Sequence, residues 1–198
     1  MIRLRPRRSG ERGQGLVELS LIIPVFILLL LAMLEFGFVF DHNITLTYAS
    51  REGARVGSAM VNGGGPLGCG GSNSPNAASV DPAIITAVDR VLNSPGSLVD
   101  RSAIGEIRIY NANLSGNQIG SEYNRWVYSG GSFVPGSPQN WNACSRTFAV
   151  PPQSIGVSIT YTYKLTTPLA GIMAYFGGSG SATLGMADKT VMAMNPLD

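Results

Sequence analysis

The chain has 198 residues, 44% of them hydrophobic and only 13% charged, where a soluble domain usually carries about 25% charged residues. Five arginines (Arg3, Arg5, Arg7, Arg8, Arg12) against Glu11 give residues 1–13 a charge of +4, which leaves −2 on the rest of a chain whose total is +2. With 25 glycines and 12 prolines, this composition suits an exported, loop-rich domain better than a cytosolic enzyme, and no basic, aromatic-laced face of the kind that binds nucleic acid is legible.

After the basic leader comes an apolar run. Residues 19–34 contain no charge, and adding Leu16, Val17 and residues 36–40 extends the run, broken by Glu18 and Glu35. The run is about 25 residues, and about 20 cross a bilayer as helix. A cleavable secretory signal has a shorter core followed by a small-x-small site; LEFGFVFDHN offers none. The segment is therefore expected to stay attached and span the membrane over about residues 16–40. The arginines before it keep the N-terminus cytoplasmic and place the C-terminal region outside. Pro24 is expected to kink the helix.

The helical pattern continues over residues 41–60 as an amphipathic outer half, through Leu46, Ala49, Ala54 and Val56. Gly53 and Gly57 each lower helix propensity by about 1 kcal/mol. One helix from Gln14 to Met60 would be roughly 70 Å long at 1.5 Å per residue. Glu52 and Arg55 can pair along it.

Glu18 is the unusual residue. An ionisable group inside a membrane helix costs about 2.5–3.5 kcal/mol, less near an end, so it either sits at headgroup level or has a partner. A cut after Gly13 would make Gln14 residue one and Glu18 residue five. The new α-amine of a neighbouring subunit could then neutralise Glu18 inside an apolar bundle.

A basic leader, a glycine, four residues, a glutamate and a long apolar helix resemble the type IV prepilin pattern. RGQGLVELSLIIPVFILLLLAMLEFG followed by YASREGARVGS is similar to the TadE-like family, the minor pilins or pseudopilins of tight-adherence pili. The resemblance implies a type IV pilin-like fold and cleavage between Gly13 and Gln14 by a prepilin peptidase. It also implies partners: other pilins and minor pilins, an inner-membrane assembly platform and the lipid bilayer. Gly15 is a second glycine, but a cut after it would leave Glu18 at position three. Residue 19 is Leu where the family often has an aromatic.

The remainder, 61–198, reads as an extracytoplasmic α+β domain. Residues 63–75 form a glycine-rich linker. Asp81 is the expected N-cap of a helix with Pro82 in its first turn, carrying Ile84, Ile85, Val88, Val91 and Leu92 on one face and ending near Asn93. Strands are expected at 106–110, at 125–128, at 155–165, where Ile155, Val157, Ile159, Tyr161 and Tyr163 alternate with polar partners or glycine, and at 183–194. Residues 168–176 suggest a small helix capping the sheet. The fold class is α+β, with an antiparallel sheet of three to five strands and a helix packed on the outer half of the long helix.

Cys69 and Cys144 lie 75 residues apart. An even pair in an exported domain argues for a disulfide, with stabilisation of roughly 4 kcal/mol in the chain-entropy picture. The single histidine, His42, has no nucleophile or metal-ligand partner at a recognisable spacing, so neither an enzyme nor a cofactor is expected. An adhesive patch of Tyr123, Trp126, Tyr128 and Trp141 competes with ordinary core packing. Three functional readings stand: a processed minor pilin, an unprocessed single-pass anchored binding module, and a pseudopilin of a secretion machine.

Overall fold

The structure is a computed structural model describing residues 11–60, 74–113, 115–147 and 153–194. The order is α1 (Glu11–Ala59), α2 (Ser74–Leu92), β1 (Ile104–Ala112), β2 (Gln118–Ser129), β3 (Ser132–Gln139), β4 (Ser154–Lys164), α3 (Leu169–Gly177) and β5 (Thr183–Ala193), with short 3-10 turns at Arg101–Ala103, Ala143–Ser145 and Ser179–Ala182. The α+β class with a long N-terminal apolar helix is as expected. The described residues fall into two compact units, one within Met1–Phe38 and Lys164–Ala182, the other within Val39–Tyr163 and Thr183–Asp198.

The second unit holds a five-stranded sheet in the order β3-β2-β1-β4-β5. β1 pairs antiparallel with β2 and β4, with Ile107 opposite Trp126 on one side and Ile159 on the other. β4 and β5 are hydrogen-bonded neighbours, and Met194 N donates to Gln153 O at one end of the pair. β3 was not foreseen. It carries Pro135 and Pro138 and lies at the sheet edge, where a proline's missing N–H disrupts no ladder. Gly130 and Gly131, at φ 61° and 93°, make the tight turn that joins it to β2; a two-residue hairpin of this kind needs two positive φ values.

The core lies where α1, α2 and the sheet meet. Leu46, Ala49 and Ala54 of α1, Ile84, Val88 and Leu92 of α2, Ile107 and Ile109 of β1 and Ile155, Val157 and Ile159 of β4 are all buried. Gly53 and Gly57 make this approach possible. A Cβ on Gly53 would stand 2.6 Å from Val88 Cγ2, and one on Gly57 2.5 Å from Ile155 Cδ1. Their low helix propensity is the cost of close helix packing. Across the β1–β4 pair, the Tyr110 ring covers Gly156. Burial raises the Tyr110 hydroxyl pKa above 10.0, with nearby Arg108 opposing the shift.

Polar contacts fasten the edges. Asp188 of β5 accepts from Thr47 Oγ1 at 2.9 Å and from Ser50 Oγ on α1. Ser50 is also 2.8 Å from Thr190 Oγ1. His42 is buried between the rings of Tyr161 and Tyr163, at 5.5 and 4.9 Å between centroids, and so serves packing.

The second helix corrects the expected boundaries. It starts at Ser74, so Ser74 and Pro75 belong to it and not to a linker; residues 61–73, including Cys69, lie outside those described. Asp81 is therefore inside α2 and is not its N-cap. Its carboxylate accepts from Arg146 Nη1 at 2.6 Å and Asn124 Nδ2 at 2.5 Å, a stronger use of a charge than capping. The small helix expected at 168–176 is present as α3, and it belongs to the unit that contains the apolar half of α1.

Candidate assembly and membrane-facing site

The apolar half of α1 has the composition of a membrane span. Its 18-residue window has a mean hydropathy of 2.7 with none of it buried. Leu21, Ile22, Phe26, Leu29 and Met33 are all exposed. Such a surface lowers its free energy only by being covered, at about 25 cal/mol per Å². One helix of this length and hydropathy is compatible with a single-pass anchor.

The expected cleavage residues lie within this helix. Gly13 and Gln14 are exposed, and a Cβ placed on Gly13 or Gly15 would meet nothing within 4 Å. Neither packing nor a positive φ requires glycine there, unlike at Gly53. Gln14 Nε2 donates to Glu18 Oε1 at 3.1 Å, so the two side chains share one face a turn apart. Ser20 Oγ donates to Val17 O at 2.8 Å. α1 is helical on both sides of Pro24, which has no N–H to give the carbonyl of Ser20; the bend expected at Pro24 stays an expectation.

Glu35, read as an interruption of the apolar run, has the more elaborate environment. It is 5% exposed. Its two carboxylate oxygens accept from the backbone N–H of Thr166 at 3.0 Å and of Thr167 at 3.1 Å. Leu165 N donates to Ala182 O at 3.0 Å, closing the excursion that carries α3. Nothing in the local sequence announces these partners, 131 and 132 residues away.

Cys144 lies on the 3-10 turn Ala143–Ser145, its N–H capped by Asn142 Oδ1 at 2.9 Å. No cysteine among the described residues is free. Trp126 and Trp141 are buried and Tyr123 and Tyr128 half-buried, which favours core packing over an adhesive patch. Trp141 lies under the Arg146 guanidinium, 4.3 Å from its ring centroid. The depression beside them, about 310 Å³, is lined by Asp81, Asn124 and Trp141 among others. Asn124 donates to Asp81 and to Trp141 O, and accepts from Trp141 N at 2.8 Å, so these polar groups are spent on each other. Among the described residues, no group of three or more His, Cys, Asp and Glu side chains is placed to hold a metal ion.

On the outer half of α1, Arg55 grips Glu52 with Nε at 2.9 Å and Nη2 at 2.8 Å. The hydrogen bond from Arg55 holds the Glu52 carboxyl below its usual 4.5, against the opposing effect of burial.

No curated protein and no solved structure matches the chain. Residues 13–55, the stretch that carries Glu18, Pro24, Glu35 and Gly53, match the family model of TadE-like proteins.

Proposed function

We propose that the chain is a minor pilin or pseudopilin of tight-adherence-type pili, made as a precursor and cut by a prepilin peptidase between Gly13 and Gln14. Residues 1–13 are then the leader, 14–60 the anchoring and assembling helix, and 61–198 the extracytoplasmic domain. The observation that carries the reading is Gln14 and Glu18 on one face of an exposed apolar helix, inside the segment that matches TadE-like proteins. Cleavage would turn Gln14 into a cationic terminus, ready to neutralise Glu18 of a neighbouring pilin or minor pilin. Before assembly the helix rests in the cytoplasmic membrane, N-terminus inside, beside the inner-membrane assembly platform. Outside, a Cys69–Cys144 disulfide would tie the glycine-rich stretch to the turn before Phe148.

Gly13→Val tests this cleanly, because a Cβ at Gly13 meets nothing and should not disturb the fold. Co-expression with a prepilin peptidase should convert the natural chain, but not the variant, to a shorter form. A natural chain whose size is unchanged by the peptidase would overturn the proposal in favour of an unprocessed anchored module.

A further inference from the structure

We infer that α3 is a second membrane contact, a short interfacial helix that lays Tyr175 and Phe176 into the leaflet from which α1 emerges; this rests on reading α1 as a membrane span. None of the residues of α3 is buried, yet Tyr175 and Phe176 are aromatic and 84% and 82% exposed. Their rings meet edge to face at 5.2 Å. Residues 165–187 contain no Asp, Glu, Lys or Arg, and Lys164 and Asp188 flank them. A protein-binding patch in water normally has a polar rim; an uncharged stretch with Tyr and Phe at its tip matches the composition of a membrane interface.

The depth is set by Glu35. The apolar run continues to residue 40, but about 20 residues suffice to cross the hydrocarbon, so a span that starts at Leu16 reaches its outer edge near position 35. There the Glu35 carboxylate holds the N–H groups of Thr166 and Thr167, three and two residues before α3 begins. The bond solves two problems together. It satisfies a buried acid at the membrane boundary, and it fixes the start of an apolar helix at that same level. Lys164, exposed at the entry to the excursion, is placed to reach anionic headgroups.

The test is carried out on the full chain in vesicles of phosphatidylcholine and phosphatidylglycerol. An environment-sensitive fluorophore is attached at Phe176→Cys, at Phe26→Cys in mid-span, or at Ser132→Cys on the exposed β2–β3 turn. Quenching by lipids carrying a doxyl group high on the acyl chain, and several-fold weaker iodide quenching at 176 than at 132, is the expected result. Iodide quenching at 176 equal to that at 132, with 26 still quenched by lipid, would overturn the inference and leave the anchor intact. Iodide access at 26 would overturn the anchor itself. Shielding of 176 from both quenchers, lost when the protein is diluted in lipid, would assign α3 to a second copy of the chain and also overturn the inference.

Discussion

Replacing Glu35 by Gln keeps the size of the side chain and removes the charge. One amide oxygen can still accept from Thr166 or Thr167, but the NH₂ group now faces the other backbone N–H. A hydrogen bond to a charged group contributes about 1.5–3 kcal/mol, and an orphaned buried donor costs about 1–3 kcal/mol. These effects overlap, and a net loss of about 3 kcal/mol is the reasonable figure, roughly a hundredfold in an opening equilibrium. Hydrogen exchange of the reconstituted protein reads this directly. The amides of Thr166, Thr167 and α3 should exchange roughly a hundredfold faster in Glu35→Gln, while those of Ile107 and Ile159 in the sheet keep their protection. Unchanged exchange at Thr166 and Thr167 would refute the role given to Glu35.

Gly53→Ala should lower the stability of the sheet unit, because overpacking costs about 1–3 kcal/mol against a propensity gain of about 1 kcal/mol; Val88 is stiff at χ1. Gly57→Ala should cost less, since the methyls it meets are the flexible tips of Ile155 and Ile84, and urea denaturation that ranks the two in the opposite order would contradict the packing described. Asp81→Ala strands the guanidinium of Arg146, which is fully buried, so a loss of about 3–5 kcal/mol is expected in the same assay. The Glu52 carboxyl is held below 4.5 in the folded chain, so its contribution is present above that value and is lost as pH falls through the lowered one. The stability gap between the natural chain and Glu52→Gln should therefore close on acidification; a gap that widens at low pH would contradict the pairing with Arg55.

What the sequence showed depended on whether the signal was local. α1 was readable because an uncharged run and an uninterrupted helical pattern need no partner to be seen. β4 was readable because Ile155, Val157, Ile159, Tyr161 and Tyr163 keep a period of two, and each is buried. The start of α2 was misplaced because Asp81-Pro82 and Ser74-Pro75 carry the same local signature of a polar residue followed by proline, and Asp81, inside the helix, is used instead in bonds to Arg146 and Asn124. β3 was hidden by its prolines, which weaken any local strand pattern and are allowed by its edge position. Glu35 and the glycines of α1 were visible as residues but not as functions. Their meaning depends on Thr166, Val88 and Ile155, which the fold brings to them from far along the chain.

The fate of the Gly13–Gln14 peptide bond is read by N-terminal sequencing of the membrane-derived protein, made with and without a prepilin peptidase. The expected start is Gln14 when the peptidase is present and Met1 when it is absent, which makes Glu18 the fifth residue of an assembling subunit. A start at Met1 under both conditions would contradict it, and Glu18 would then belong to an anchored surface protein that is never processed.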